Sequence, residues 1–355
     1  MNRVVITGAD VISPIGNNLD EFFNGIMSGE KGIGNIQGID TEHFPTNLGA
    51  EVKKNGVPVK FDSSVDRKAV FIQDTMEQLF NKYPWLKEIA PEKKHLILGA
   101  GLDYINLQVY STNINKERDA AIKQTSNTSD IVKDLSVKYK IKGSHAVFVT
   151  ACVASSQAVG HSYRTIMNNN DNRLIITGGF ESMLNHLHYV GFYKLGALSN
   201  WAGKPSDACR PFDKDRCGLV LGEGAATLIL QNLDDTISSN ILAEIIGYSS
   251  TMDSYMVTDP LPDGNMLAKA AMQAIDEAGI STDEIDTVNL HGTGTKKNAL
   301  AESNALKIIF GDRYKEIPVF SLKGQVGHTI AACGAIEILS AIYALQNQVV
   351  PPTIN

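Results

Sequence analysis

Short apolar runs alternate with stretches of helical periodicity along almost the whole chain. Apolar runs bounded by glycine or polar residues predict buried strands at residues 4–7, 95–98, 146–150, 174–177, 225–230, 288–290 and 319–322. Apolar residues at helical spacing predict helices at residues 19–27, 68–82, 129–139, 155–168, 265–278, 299–310 and 335–345. Strands that alternate with helices are typical of sheets covered by helices. The pattern therefore predicts an α/β fold.

The length of the chain bears on its division into domains. With 355 residues it exceeds the usual size of one compact domain, which favours two domains or one duplicated unit. A seam near residues 231–240 follows the strand predicted at 225–230. We therefore expect an N-terminal half over residues 1–235 and a C-terminal half over residues 236–355. The polar, irregular stretch 103–128 is expected to be a mobile or partner-facing insertion.

Charge, cysteine content and hydropathy exclude several classes of protein. The net charge of −7 disfavours nucleic-acid binding, which needs a basic face. The four cysteines are widely spaced and show no metal-ligand pattern, so neither a disulfide framework nor a zinc site is predicted. No secretory signal is recognisable, and we find no apolar stretch approaching the roughly 20 residues that cross a membrane. The expected location is the reducing cytoplasm.

Cys152 lies where the strand predicted at 146–150 runs into the helix predicted at 155–168. A thiol at this junction feels the positive end of the helix dipole, which favours the thiolate. Neighbouring backbone N–H groups are placed to stabilise an oxyanion, as in a nucleophile elbow. The alternative is a small buried core cysteine, because free cysteine is among the most buried residue types. The local pattern leaves both interpretations open.

Two histidines and a lysine follow predicted strands in the last third of the chain. His291 opens a loop rich in glycine and threonine, Lys323 follows the run 319–322, and His328 comes five residues after Lys323. Taken singly, a capping or core histidine and a solvated lysine are the more common explanations. Glu337 falls in the next predicted helix, where it is placed to pair with Lys323, although a helical glutamate is more often a surface residue.

The joint pattern of these residues is more specific than any one of them. Several longer motifs accompany it: Val4-Val5-Ile6-Thr7-Gly8, Cys209-Arg210-Pro211-Phe212-Asp213, Gly222-Glu223-Gly224 and Pro351-Pro352-Thr353-Ile354-Asn355. Over nearly its whole length the sequence resembles the β-ketoacyl-[acyl-carrier-protein] synthases of the thiolase-like superfamily. It is most similar to the type II elongating enzymes.

The resemblance implies a duplicated, layered α-β-α-β-α sandwich. It assigns the family nucleophile to Cys152, the two active-site histidines to His291 and His328, the family lysine to Lys323, and the glutamate paired with that lysine to Glu337. The implied activity is that of an acyltransferase: a decarboxylative Claisen condensation of acyl- and malonyl-carrier protein, in fatty-acid or polyketide synthesis. No metal or bound cofactor is implied, because the substrates arrive on the phosphopantetheine arm of an acyl carrier protein.

The resemblance also implies partners. The carrier protein is acidic in this family, so a docking patch of basic residues is expected at Arg67, Lys68 and Arg210. Ordinary solvated charge is an equally good explanation of these three residues. A homodimer, or a heterodimer with a ketosynthase-like subunit, is expected, and neither nucleic acid nor a membrane is.

The sequence departs from the family pattern in two places. The family continues beyond the Pro-Pro-Thr-Ile-Asn motif with two strands and a Gly-Phe-Gly-Gly loop, so the second half is expected to lack its last strands. Residues 296–299 carry two lysines and no carboxylate where the family often has Pro and Asp. Two alternatives to condensation therefore stay open: a non-condensing chain-length partner of a heterodimeric ketosynthase, and a decarboxylase or acyltransferase of a secondary-metabolite pathway.

Overall fold

The computed structural model describes residues 2–42, 44, 46–60, 65–105, 125–169, 171, 173–236 and 240–355. Within these residues the strands are β1 (Val4–Ile12), β2 (Ile33–Asn35), β3 (Leu48–Ala50), β4 (Lys53–Lys54), β5 (Val57–Pro58), β6 (Lys94–Ala100), β7 (Tyr104–Ile105), β8 (Thr125–Ser126), β9 (His145–Phe148), β10 (Leu174–Ser182), β11 (Glu223–Asn232), β12 (Ala243–Ile245), β13 (Val288–Asn289) and β14 (Val319–Phe320). The helices are α1 (Leu19–Ser28), α2 (Arg67–Lys82), α3 (Thr128–Lys138), α4 (Ala154–Met167), α5 (His186–Lys194), α6 (Asn265–Ala278), α7 (Lys296–Phe310), α8 (Lys323–Val326) and α9 (Cys333–Asn347).

The largest sheet is mixed and has the strand order β12-β1-β11-β10-β6-β9. β1 pairs antiparallel with β11 and β12, and β11 pairs antiparallel with β10. β10, β6 and β9 run parallel, with Phe180 opposite Ala100 and Gly99 opposite Phe148. The carboxyl ends of these three strands therefore meet at one edge of the sheet, and the chain leaves β9 toward Cys152 at that edge.

Helices cover both faces of this sheet. On one face α1, α4 and α9 bury a cluster that includes Phe22, Val159 and Leu339 against Ile175 and Leu228 of the strands. On the other face, α2 and α3 bury a second apolar cluster against β6, β10 and β11. Successive strand residues point to opposite faces, and helices cover both faces, so β10 and β11 are buried at every position and contain the predicted apolar runs.

A second, smaller layer of strands lies on the far side of α9. β13 and β14 pair in parallel, with Val288 opposite Val319. The side chain of Asn289 donates to the Glu337 carbonyl oxygen at 3.2 Å and to Ser340 Oγ at 2.8 Å, both on α9. Helix α9 thus separates the two sheets, as a layered sandwich requires. Among the residues described, the expected second half over residues 236–355 contains β12, β13 and β14.

Two expectations about burial are wrong. The strand predicted as buried at 146–150 is the outer strand β9, where His145 and Ala146 are exposed because only β6 pairs with it among the described strands. The segment Ile330–Asn347 is, against expectation, long and apolar enough to cross a membrane. Most of it is buried between the layers of the protein, so its apolar composition fits a core helix.

Every predicted helix and strand overlaps an observed one, and the main omission is α5. Tyr189 is its buried side chain, so no apolar stripe marks it in the sequence. The insertion expected at 103–128 falls largely on residues 106–124, which lie outside the described part of the chain. At its edges β7 pairs with β8, and Asp103 accepts hydrogen bonds from the Thr128 N–H and hydroxyl.

Candidate active site

Cys152 lies in the 3₁₀ turn Ala151–Val153 that joins β9 to α4. Ala151 adopts φ 53°, a left-handed conformation that turns the chain sharply from strand to helix. Gly99 on β6 allows the close packing of this junction, because a Cβ there would lie 2.3 Å from the Ser155 nitrogen. The Cys152 side chain is left partly accessible at the edge of the sheet.

His291 follows β13, and its loop is held by a carboxylate on α7. Glu302 is buried and accepts hydrogen bonds from the backbone N–H groups of His291 at 2.6 Å and Gly292 at 2.9 Å. Asn298 donates to the same carboxylate at 2.6 Å. Sequence reasoning missed Glu302. The available signal was an acidic residue among the buried alanines of a helix, Ala299, Ala301 and Ala305.

Lys323 begins the short helix α8 after β14 and is almost fully buried. Its ammonium donates to Glu337 Oε1 at 2.5 Å and to His291 Nδ1 at 3.1 Å. Burial lowers the pKa of Lys323, but the Glu337 carboxylate more than offsets this, so the pKa is raised overall and the lysine is charged. The expected pairing of Lys323 with Glu337 is therefore present.

His328 is placed by its own backbone. Its N–H donates to the Val220 carbonyl at 2.7 Å, and its carbonyl accepts from the Gly222 N–H at 2.9 Å. The Sγ atom of Cys152, one ring nitrogen of His291 and one ring nitrogen of His328 lie within 4.8 Å of one another. The two imidazole rings are 4.9 Å apart and nearly perpendicular, at 84°. Residues that follow three different strands in the sequence thus converge on one place.

Hydrogen bonds determine which nitrogen of each imidazole carries the proton. His291 Nδ1 accepts from the Lys323 ammonium, and His328 Nδ1 accepts from the Ile330 N–H at 3.3 Å. Burial and then the charge of Lys323 lower the pKa of both histidines well below the usual value, so both are neutral near pH 7. A neutral ring has one N–H, which here must be on Nε2. The site therefore offers two Nε2–H donors.

The protonation state of Cys152 differs from the sequence expectation of a favoured thiolate. Burial raises the pKa of Cys152, and the nearby charge of Lys323 offsets this only in part. The resting group is therefore the thiol, and the thiolate is the minor form at neutral pH. A lower pKa was expected from the helix N-terminus alone, before the depth of the junction in the fold was known.

Cys152, His291 and His328 also have the composition of a metal-ligand set, but their surroundings do not fit one. A ligating imidazole normally donates its other N–H to an acceptor. Here both Nδ1 atoms face donors, the Lys323 ammonium and the Ile330 N–H, so coordination at Nε2 would break these hydrogen bonds. The neighbouring group of His291, Cys333 and Glu337 surrounds the Lys323 ammonium, which already supplies a cation.

The pattern of Cys, His, Lys and His on one fold has matches among known proteins. Residues 1–236 match the family description "Beta-ketoacyl synthase, N-terminal domain", and residues 242–355 match "Beta-ketoacyl synthase, C-terminal domain". The chain belongs to the beta-ketoacyl synthase family.

Curated relatives of this beta-ketoacyl synthase agree with that membership. The 3-oxoacyl-[acyl-carrier-protein] synthase 2 of Synechocystis sp. is 32% identical over 365 residues, covering 99% of this chain and 88% of the relative. The protein of the same name from Coxiella burnetii is 32% identical over 375 residues, with the same coverage of both chains.

Solved structures agree as well. A type II polyketide synthase acyl-carrier protein in complex with its ketosynthase (AntDE:AntF) matches with a TM-score of 0.89 and 27% identity, over 99% of this chain and 88% of that one. A beta-ketoacyl synthase from Burkholderia phymatum matches with a TM-score of 0.86 and 28% identity, over 100% of this chain and 89% of that one. The predicted family, thiolase-like α/β fold and condensing acyltransferase class are thereby confirmed.

The carrier-docking residues expected in this synthase need correction. Arg67 is 5% exposed and binds Glu223 through two nitrogens, with Glu51 3.7 Å away, and Lys68 is 1% exposed and pairs with Asp66 at 2.9 Å. These charges are enclosed by their ion pairs and are not presented to a partner. At the start of an amphipathic helix the sequence could not distinguish an outward charge from a buried one.

Arg210 is different, because it is only partly buried and lies near the loop that carries His291. Its guanidinium stacks 4.6 Å from the ring centre of Trp201 and bonds to Asp213 at 3.2 Å. The adjacent Cys209 donates to the Thr293 carbonyl, in the loop that carries His291. Of the three docking residues that the sequence suggested, Arg210 is the least buried, and its role in docking stays a prediction.

Proposed function

We propose that this beta-ketoacyl synthase condenses an acyl group held on Cys152 with malonyl-acyl carrier protein, giving 3-oxoacyl-carrier protein and CO2. The observation that carries the proposal is the pairing of one thiol with two imidazoles whose Nε2–H groups are fixed as donors. A nucleophile and a two-donor site for an oxyanion are what the two halves of such a condensation require.

The first half is acyl transfer. The Cys152 sulfur attacks the thioester carbonyl of acyl-carrier protein, the carrier thiol leaves, and the acyl chain stays on Cys152. The ammonium of Lys323 favours the thiolate that reacts, as its effect on the pKa of Cys152 indicates. No metal takes part in this step, and the acyl groups arrive on the carrier's phosphopantetheine arm.

The second half is decarboxylation and carbon–carbon bond formation. Loss of CO2 from the malonyl thioester leaves an enolate, whose oxygen accepts hydrogen bonds from Nε2 of His291 and His328. The enolate carbon attacks the acyl-Cys152 carbonyl and the Cys152 sulfur leaves, taking up a proton. Neutral histidines suit this role because they donate without delivering their proton to the enolate.

The proposed reaction and the exposed edge of β9 each indicate a partner protein. We assign the acyl carrier protein as partner, with Arg210 as a candidate contact, and a second ketosynthase-like chain paired along the exposed edge of β9. Solved relatives include the ishigamide ketosynthase/chain length factor, a pair of such subunits.

All four cysteines are free thiols, which is in keeping with the reducing cytoplasm. We also propose that the N-terminal and C-terminal halves of the chain meet between residues 235 and 236.

The experiment separates the two halves of the reaction. Incubation with acyl-carrier protein should add one acyl group to the protein, as measured by intact mass, and Cys152→Ala should abolish the adduct. His328→Ala should still be acylated but should lose about 10²- to 10³-fold in CO2 release from malonyl-carrier protein. Cys217→Ser is the matched control, because Cys217 contacts Ser199 and not the site.

The alternatives predict other results. CO2 release without a 3-oxoacyl product would identify a decarboxylase. Acylation that occurs only after a second ketosynthase-like protein is added would identify a partner subunit. An acyl adduct that persists in Cys152→Ala would contradict the proposal outright.

A further inference from the structure

A second cysteine lies against the nucleophile. Cys333 is the first residue of α9, is 4% exposed, and donates from Sγ to the carbonyl oxygen of Cys152 at 3.1 Å. The condensation derived above gives this thiol no part. Of the cysteines, Cys209 and Cys217 lie elsewhere, by Thr293 and Ser199.

The two cysteines occupy matching positions on two helices whose N-termini meet. Ala151-Cys152-Val153-Ala154 leads from a 3₁₀ turn into α4, and Ala332-Cys333-Gly334-Ala335 leads from another into α9. Gly334 permits the contact, since a Cβ there would lie 2.0 Å from Ser156 Oγ. The Ala335 N–H donates to Ser155 Oγ at 3.1 Å, which fixes the two helix ends together.

This contact brings the sulfur of Cys333 within reach of the Cys152 side chain. A carbonyl oxygen is about 2.4 Å from its own Cα, so Cys333 Sγ lies at most about 5.5 Å from Cys152 Cα. Formation of an S–S bond then requires rotation of the Cys152 side chain about its first torsion and a shift of the turn. The hydrogen bond from Cys333 to the Cys152 carbonyl is given up in the process.

We propose that Cys333 is a resolving thiol that captures oxidised Cys152 as a reversible disulfide. The oxidant is a hydroperoxide. The Cys152 thiolate attacks one peroxide oxygen, an S–O bond forms, the O–O bond breaks and hydroxide leaves. The Cys333 thiol then loses its proton and attacks this sulfur, the S–S bond forms, and the S–O bond breaks to release water. Two thiols are oxidised and one hydrogen peroxide is reduced to two waters.

The surroundings set the order of these steps. Cys152 is partly accessible, whereas Cys333 is buried beside the Glu337 carboxylate. Burial and then Glu337 raise the pKa of Cys333 well above its usual value, so Cys152 is the more readily ionised of the two. Peroxide therefore reacts at Cys152, and Cys333 intercepts the product before further oxidation to the sulfinic acid.

The proposal rests on the proposed function only in taking Cys152 as the reactive thiol, and mass spectrometry tests it without any assay of condensation. The full-length protein is treated with hydrogen peroxide in the absence of reductant and then digested without reduction. The wild type should lose about 2 Da and yield a cross-linked pair of peptides containing Cys152 and Cys333. Dithiothreitol should reverse both changes and restore acylation of Cys152.

Variants distinguish a resolving thiol from a bystander. Cys333→Ala and Cys333→Ser should gain about 32 Da at Cys152, and dithiothreitol should not reverse this. Two replacements of different polarity guard against a folding defect, with thermal melting as the check. Cys217→Ser should behave as the wild type. Equal sulfinic acid formation in wild type and Cys333→Ala, with no cross-linked peptide, would overturn the proposal even if condensation proceeds normally.

Discussion

At the reacting centre the Lys323 ammonium lies between Glu337 and His291 and is bonded to both. This one group fixes the tautomer of His291, lowers the pKa of both histidines and offsets part of the burial effect on Cys152. Glu337 supplies the main opposite charge that stabilises this buried lysine. The chemistry of three other residues thus depends on an ion pair that does not itself touch the reacting carbons.

Lys323→Ala should make Cys152 less reactive at a given pH. Burial raises the pKa of Cys152, and without the ammonium the nearby positive charge that offsets this effect is lost, so the pKa of the thiol rises further. Because the thiolate is the nucleophile, its fraction rises about tenfold per pH unit below the pKa. The alkylation rate with iodoacetamide should therefore fall at each pH, and its profile should shift to higher pH. Lys138→Ala, at an exposed lysine, is the control; equal profiles for the two variants would contradict the assignment.

At the scale of elements, the site depends on the place where α4 and α9 begin. Each helix follows a 3₁₀ turn preceded by or containing a left-handed residue, Ala151 at φ 53° and Ile330 at φ 41°. Glu302 on α7 holds the His291 loop in place by accepting hydrogen bonds from two of its backbone N–H groups. Short, tightly held connections, more than the long strands, therefore determine where the reacting atoms lie.

Gly334→Ala should disturb this meeting of helices. The added methyl would lie 2.0 Å from Ser156 Oγ and 3.0 Å from the Ser156 nitrogen, so α9 must move away from α4. Overpacking of this kind lowers the free energy of unfolding by about 1–3 kcal/mol. The protein should still be folded in the absence of urea, but the acylation rate of Cys152 should fall. Urea unfolding and the acylation rate measure the two effects. Gly191→Ala, on α5 with nothing within 4 Å of the added methyl, should leave both unchanged or slightly improved; equal behaviour of the two variants would refute the argument.

At the scale of the whole molecule, the C-terminal part of the chain completes the N-terminal sheet. β12 pairs with β1 at the sheet's edge, and Arg3 binds Glu244 across that pair. Leu339 of α9 is fully buried in the same apolar cluster as Ile175 and Leu228. The two regions matched by separate family descriptions therefore share one core, and we expect them to fold as one cooperative unit.

Leu339→Ala tests this shared core. Removing a fully buried leucine should destabilise by about 2–5 kcal/mol. Tryptophan fluorescence reports on Trp85 and Trp201, which both lie in the N-terminal half, while far-ultraviolet circular dichroism reports on the entire chain. Both probes should shift to the same lower urea midpoint. Leu345→Ala, at an exposed position of the same helix, should change little. Two separate transitions would show that the halves fold independently.

The sequence by itself predicted the strands and helices with strong periodicity and the family, and it indicated Cys152, His291, Lys323 and His328 as candidate site residues, because local patterns and long motifs carry this information. It did not reveal that Arg67 is enclosed by carboxylates, since its partner Glu223 lies over 150 positions away along the chain. The sequence also did not show that Cys152 rests as a thiol, because burial raises its pKa and burial depends on the assembled layers. The sequence did not show that Glu302 and Cys333 contact the site, because only the fold places α7 and α9 beside it. Tertiary structure therefore determines the charges, tautomers and contacts on which the chemistry depends.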